Sequence, residues 1–280
     1  MQTQPSLFIC PICGKPLLRM ETSYRCWGGH SFDIAAAGYT HLLPVNQMNS
    51  KNPGDDKAMV TARTAFLDAG YYAPLRAALC RAALARCKDH TQDYTIFDCG
   101  CGEGYYTEGV FKALTDAGIT FHIGGIDISK HALRKAAKRL PDGEFAVASA
   151  YHLPMRDQCV DLIFNVFSPM AREEFLRVLR PGGHLIYVVP SARHLWEMKS
   201  LLYKTPYEND AAREEYEGFL HEETLEVRET IHLRNTDHIM ALFGMTPYAH
   251  KTPKSGIERL QALDTLDTAI GFDVHIYRKI

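Results

Sequence analysis

The stretch that most limits what this chain can fold into is Thr95-Ile96-Phe97-Asp98-Cys99-Gly100-Cys101-Gly102-Glu103-Gly104-Tyr105-Tyr106. A short apolar run ends in an acid, glycines follow at every second position, and a helical pattern then begins. A parallel strand that enters a tight turn and feeds a helix whose amino terminus faces a ligand has this pattern. Glycine suits the turn because its backbone reaches angles closed to other residues and because a ligand can lie against bare backbone. The spacing Asp-x-Gly-x-Gly-x-Gly departs from the dinucleotide pattern Gly-x-Gly-x-x-Gly, since an acid opens the loop. A carboxylate there suits a ligand carrying an ammonium group and repels a pyrophosphate.

The flanking sequence alternates strand and helix. Further strands are expected at Phe121 to Asp127, Glu144 to Ala148, Val160 to Val166 and His184 to Val189. Asp127, closing the second strand after a glycine loop on the first, sits where a ribose diol is held by two hydrogen bonds, although an acid there also caps the next helix. Ser129 caps a helix with the apolar stripe Leu133, Ala136, Ala137 and Leu140. A helix over 171–180 stops at Arg180-Pro181-Gly182-Gly183. Upstream, Asp55 or Asp56 caps a helix to about Asp68, and a second helix runs from Pro74 to Lys88. In the carboxyl third, 208–217, 236–243 and 256–266 read as helices and 227–233 and 272–278 as strands. This order predicts an α/β fold, a Rossmann-like parallel sheet covered on both faces, with ligands at the carboxyl ends of the strands.

Residues 6–35 have a different character. Cys10-Pro11-Ile12-Cys13 is a Cys-x2-Cys knuckle, and Cys26 and His30 follow after twelve intervening residues. Three thiolates and an imidazole make a tetrahedral, closed and therefore structural Zn2+ site, with Pro16 to Arg19 and Ser23 to Arg25 as short strands of a ribbon. A redox pair at Cys10 and Cys13 is the competing reading, but Pro11 and Gly14 do not suit the helix start such a pair occupies. So small a unit has almost no core of its own, so the metal must supply folding energy. Residues 36–57 are rich in Gly, Pro and Asn and read as a linker.

Hydrophobic residues make up 46% of the 280 and charged ones 23%, with a formal net charge of −2. Binding of nucleic acid through bulk charge is excluded, so any RNA contact needs a local patch. There is no apolar run of membrane-spanning length and no secretory pattern after Met1, so a cytoplasmic setting is expected, with eight cysteines as thiols or metal ligands. The sequence leaves oligomeric state open, a homodimer among the options.

The acid-led loop resembles the first motif of class I S-adenosylmethionine (SAM)-dependent methyltransferases, and Leu179-Arg180-Pro181-Gly182-Gly183-His184-Leu185 is similar to their turn before strand five. That resemblance implies that Asp98, Gly100, Gly102, Glu103 and Gly104 cradle the methionine part of SAM and that Asp127 holds its ribose. Ser149 and Ala150 stand where an Asp commonly meets the adenine amine. Asn165-Val166-Phe167-Ser168-Pro169 stands where the target base is contacted, without the Asn/Asp-Pro-Pro-aromatic motif of exocyclic-amine enzymes.

Nearly the whole chain resembles one family, the bacterial large-subunit rRNA guanine-N1 methyltransferases with an amino-terminal zinc ribbon. The matching pieces are the Cys10, Cys13, Cys26 and His30 set, Phe32-Asp33, Gly38-Tyr39, Asn52-Pro53-Gly54-Asp55, Phe66 to Tyr72, Gly100 to Thr107, Arg193-His194-Leu195 and Met245-Thr246-Pro247. The division expected is a zinc ribbon over 1–36, a linker and helix over 37–72, and the methyltransferase domain over 73–280. The resemblance implies methyl transfer from SAM to N1 of a guanine in a 23S rRNA hairpin loop, zinc on those four residues, and SAM contacts at Tyr72, Gly102, Glu103 and His194, with Tyr72 as a lid.

The family has branches that methylate neighbouring guanines of the hairpin, one linked to macrolide sensitivity, and the sequence does not choose between them. No general base is evident. Asn165 is a candidate for orienting the base and Phe167 for stacking on it. Lys15, Arg19, Arg25, Lys51 and Lys57, with Tyr24 and Trp27, are candidates for RNA contact, as is the basic helix 130–139, which equally reads as a solvated face. A small-molecule methyltransferase of quinone or antibiotic type is the alternative function.

Overall fold

A computed structural model describes residues 4–44, 53–87, 94–210 and 215–280. The amino-terminal unit is a four-stranded antiparallel sheet in sequence order: β1 (Gln4–Ile9), β2 (Pro16–Arg19), β3 (Ser23–Cys26) and β4 (Ser31–Asp33). The local pattern marks β2 and β3 only. β1 and β4 are short or polar and are recognised as strands by their pairing.

The remainder is built on eight strands. β5 (Tyr39–His41) is followed by helices α1 (Lys57–Asp68) and α2 (Ala73–Cys87). Then come β6 (Tyr94–Cys99), α3 (Tyr105–Asp116), β7 (Phe121–Asp127), α4 (Lys130–Arg139) and β8 (Glu144–Val147). The chain continues through β9 (Val160–Val166), α5 (Arg172–Val178), β10 (Leu179–Pro190) and α6 (Trp196–Leu202). It closes with β11 (Phe219–Leu233), α7 (Thr236–Gly244), α8 (Lys254–Gln261) and β12 (Leu266–Lys279). The sheet order is β11-β12-β10-β9-β6-β7-β8-β5. Strands β5 to β10 run parallel, whereas β12 lies antiparallel between β10 and β11. The expected all-parallel sheet is therefore mixed, because the last two strands pair antiparallel across a connection that holds α7 and α8, and β12 inserts beside β10.

Asp56 accepts from Met59 N at 2.9 Å and Ser129 caps α4 by accepting from Ala132 N at 3.3 Å, so both helices begin where a short polar side chain can satisfy a free N–H. The segment following the ribbon does more than link. Tyr39–His41 pairs with Phe145 to Val147 at the sheet edge, and Phe66 and Leu67 of α1 are core residues. Helix 171–180 is shorter than its periodicity suggests, because Leu179 is already extended and pairs with Val160. Residues 208–210 and 215–217 are not helical; 211–214 lie outside the described residues. Helix α8 stops at Gln261, and α6 carries no capping side chain that would have announced it.

Each sheet face has its own core. One contains α1 to α4 and α6 to α8. On the other, Phe8, Leu17 and Tyr24 of the ribbon are buried with Phe97, Ile126 and Met155 of the large domain. Phe8 meets Tyr24 and Phe97 edge-on at centroid distances of 6.4 and 6.5 Å. The ribbon thus borrows apolar cover from its neighbour instead of relying on metal alone. Glu144 seals the joint by accepting from Ser6 Oγ at 2.6 Å, Leu7 N at 3.2 Å and Tyr24 Oη at 3.1 Å. No helix among the described residues is long and apolar enough to cross a membrane.

Candidate functional site

At the ribbon tip, the ligand atoms of Cys10, Cys13, Cys26 and His30 all lie within 4.8 Å of one another. Cys13 Sγ is 3.6 Å from Cys26 Sγ, and His30 Nδ1 is 3.5 Å from both Cys10 Sγ and Cys26 Sγ. Metal–thiolate bonds of about 2.3 Å place tetrahedral sulfurs roughly 3.8 Å apart, so this cluster fits zinc. Gly28, which pattern reading passed over, belongs to the site: a Cβ there would stand 3.0 Å from Cys13 Sγ and 3.5 Å from His30 Nδ1.

The glycine loop lies at the carboxyl ends of β6 and β7. Gly100 and Gly104 hold φ of +84° and +83°, and added Cβ atoms would press on the Ser168 side chain and on Ala136 Cα respectively. Gly102, at φ +55°, has nothing within 4 Å, so bare backbone faces open space. Its N–H donates to Asp127 Oδ2 at 2.9 Å, while Asp127 Oδ1 accepts from Ser129 N at 2.7 Å. Asp127 thereby fixes the loop and starts α4, and its pKa is raised by burial.

Asp98 is buried and accepts from Thr107 Oγ1 at 2.6 Å, leaving Oδ1 without a partner. Burial pushes its pKa up to about 7. Glu103 Oε2 binds Arg139 at 2.7 Å and Thr64 Oγ1 at 3.2 Å, while its Oε1 and the Tyr106 hydroxyl are also unpartnered. Orphaned acceptors and an open loop backbone around a cavity of about 230 Å³ fit a polar ligand carrying an ammonium group. Since ionised Asp98 is the form that attracts such a group, SAM affinity is expected to fall as pH drops below about 7, approaching tenfold per unit, and Asp98→Asn is expected to flatten that slope in calorimetry.

A larger cavity of about 670 Å³ adjoins the first. Tyr72 and His194 line it. Gly271 N donates to His194 Nδ1 at 3.2 Å, so the ring proton lies on Nε2, which is 3.3 Å from Tyr72 Oη. Burial and the Lys199 charge push the His194 pKa down to about 3, so the imidazole is neutral. Tyr72 is wedged between Phe66 and Phe272 at 4.9 and 4.8 Å and is only 3% exposed. It is a fixed wall of the chamber, not the lid expected. Lys199, unremarked in the sequence, is fully buried beneath the same wall, where it donates to Asn209 Oδ1 at 2.7 Å and lies over the Tyr207 ring at 4.7 Å.

Phe167 lines both cavities, is 45% exposed, and holds a left-handed backbone at φ +54°, a strain found where structure is set by function. Asn165 is fully buried instead, donating to Pro169 O at 3.1 Å, so it shapes the turn beneath Phe167 and does not face the chamber. Ser149 and Ala150 follow Ala148, whose N–H donates to Asp127 O at 3.3 Å, but do not line the cavity of about 230 Å³; Ser149 lines a separate hollow with Ile9, Cys10 and Leu42.

Among the RNA candidates, Trp27 is 79% exposed and Lys15, Arg25 and Lys57 are exposed, while Lys51 lies outside the described residues. Tyr24, contrary to expectation, is 1% exposed with its hydroxyl on Glu144, so it cannot stack on bases. Arg139 is likewise withdrawn from the basic face of α4, because it binds Glu103 and Asp68 at 2.7 and 2.8 Å.

The sheet order, the acid-led glycine turn and the acid at the end of β7 define a class I SAM-dependent methyltransferase carrying a zinc ribbon. A family model described as "RlmA, N-terminal" matches residues 8–51, and one described as "Methyltransferase domain" matches residues 96–183. The chain is 38% identical to the 23S rRNA (guanine(748)-N(1))-methyltransferase of Streptomyces fradiae over 69% of this chain and 66% of the relative. A Micromonospora griseorubida relative named for 23S rRNA guanine-N1 methylation is 38% identical over 68% of this chain and 67% of its own length. YxjB of Bacillus subtilis (strain 168), named for the same reaction, is 30% identical over 98% of both chains. The chain belongs to the family of 23S rRNA (guanine-N1)-methyltransferases. It spans about two thirds of the length of the first two relatives and nearly all of the third.

Proposed function

We propose that the chain transfers a methyl group from SAM to N1 of a guanine in a hairpin loop of 23S rRNA. The observation that carries this reading is the pairing of two joined cavities, one built for an ammonium-bearing donor and one walled by aromatic rings, on the same frame as a zinc ribbon. SAM, when bound, supplies an electrophilic methyl carbon on a sulfonium. Asp98 attracts its ammonium group, the loop from Gly100 to Gly104 gives it bare backbone, and Asp127 offers its carboxylate to the ribose. Tyr72 and the neutral His194 close the chamber wall. The acceptor base is extruded from the hairpin into the chamber and stacks on Phe167.

Exposed Trp27, Lys15 and Arg25 of the ribbon supply loop contacts, and Lys130, Arg134 and Lys138 form a second basic strip on α4. A cytoplasmic site of action accords with an rRNA substrate and with cysteines that form no disulfide, three of them serving the metal cluster. The test is incubation with tritiated SAM and 23S rRNA followed by primer extension. One label per rRNA and a reverse-transcriptase stop at a hairpin guanine are expected, while label on a small molecule alone would remove the reading. Phe167→Ala is expected to lower rRNA methylation about 5- to 150-fold, the loss of one stacked base, with SAM affinity retained. Unchanged kcat/KM in that variant would exclude Phe167 as the stacking residue.

A further inference from the structure

The two cavities are lined in common by Asp55, Arg63, Leu67, Tyr106, Phe167 and Ser168. A methyl group passing from a donor in one cavity to a base in the other must cross at these residues, because reacting atoms have to approach within about 3–3.5 Å. Guanine N1 carries a proton at neutral pH, so something must receive that proton, and charge then spreads onto O6. Of the six shared residues only Asp55 and Arg63 are charged. They form an ion pair, their side chains are 27% and 26% exposed, and Arg63 also donates to Met245 O at 3.3 Å.

The position of Asp55 is fixed by its surroundings. Gly54 at φ +77° has no room for a side chain against Ile128 Cγ2, 2.6 Å away, and Ser129 Oγ donates to Asp55 O at 2.6 Å. The other titratable candidates do not stand at the junction: Asp98, Glu103 and Asp127 line the donor cavity alone and His194 the larger one alone, which leaves the Tyr106 hydroxyl as the one further titratable group shared by both. The charged and titratable groups around Asp55 are Arg63 on its own side, Asp127 at the end of β7, and the Tyr106 and Tyr248 hydroxyls that line the same space.

We infer that Asp55 is the catalytic base that takes the proton from guanine N1, and that Arg63 stabilises the charge developing on O6. This rests on the guanine-N1 reading above. In the step, the N1–H bond breaks and its proton moves to an Asp55 carboxylate oxygen. The N1 electron pair forms the new bond to the methyl carbon, and the old carbon–sulfur bond breaks with its pair remaining on sulfur. Protonated Asp55 returns its proton to water once the methylated base leaves.

The experiment compares wild-type protein with Asp55→Asn, Asp55→Glu and Arg63→Lys on a 23S hairpin transcript. SAM and RNA affinities are measured by calorimetry, and single-turnover rates at saturating SAM are followed between pH 6 and 9. Asp55→Asn is expected to bind both ligands within about threefold of wild type, to lose about 100-fold or more in rate at pH 7, and to regain rate as pH rises. Asp55→Glu is expected to restore part of the rate. A wild-type rate in Asp55→Asn, a deficit cured by saturating SAM, or loss of SAM binding in both Asp55 variants would overturn the assignment. A wild-type protein that binds SAM yet methylates no guanine would remove the underlying reading and this assignment together.

Discussion

Replacing Cys26 with Ala is expected to abolish zinc binding, expose the amino-terminal forty residues to protease, and cut rRNA methylation by at least about 100-fold while leaving SAM affinity almost unchanged. A structural zinc contributes on the order of 10 kcal/mol to the folding of such a unit, and three remaining ligands do not close the tetrahedron. The ribbon also rests on Phe8, Leu17 and Tyr24, buried against the large domain, so its base has a second source of stability. Metal loss should therefore loosen the Cys10–His30 end first. Hydrogen exchange resolves the two: rapid exchange at the knuckles, 10–14 and 26–30, with residual protection in β1 and around Leu17 and Tyr24 is the expected pattern, whereas uniform protection in the metal-free variant would contradict a structural role for zinc. The donor cleft shares no residue with the metal cluster, which is why SAM affinity is the internal control.

The second large effect is expected from Gly100→Ala. The backbone there has φ of +84°, and a Cβ would lie 2.6 Å from Ser168 Cβ. Left-handed strain costs about 1–2 kcal/mol, and the crowding must push back Ser168, a residue lining both cavities. Together these predict a loss of SAM affinity of about 100-fold. Gly118→Ala is the matched control, since Gly118 has φ of +70° with nothing within 4 Å. It should lose comparable stability by thermal melt but no SAM affinity. Equal affinity losses in the two variants would mean that the loop acts through general stability and does not shape the donor cleft.

Local patterns were legible wherever a residue's role is set by its sequence neighbours. Strands β6, β7 and β9 begin and end as their apolar runs do, and Asp56 and Ser129 cap the helices they precede. The metal ligands could be read from spacing because the knuckle geometry is local. What escaped was set by tertiary pairing. Strands β11 and β12 extend to 15 and 14 residues, well beyond the alternating stretches, because each supports the other across charged positions such as Glu222 and Arg278. Tyr24 looked available for RNA until Glu144, 120 residues away, took its hydroxyl. Arg139 looked like one more surface charge, yet it underpins Glu103. Asp55 reads in the sequence only as a helix cap and part of a matching motif, and Arg63 not at all, because their neighbours in space, Tyr106 and Phe167, lie far along the chain.

Glu144 stitches the ribbon to the large domain through two hydrogen bonds from β1 and one from β3, over a shared apolar seam. The finger is consequently no tethered bead but one jaw of a calliper whose span is set by the protein. An rRNA hairpin gripped at its loop by Trp27 would present to the chamber whichever nucleotide lies at that span, whatever its neighbours in sequence. Which guanine receives the methyl group then becomes a matter of length, and shortening or lengthening the β1 edge should move the mark along the hairpin.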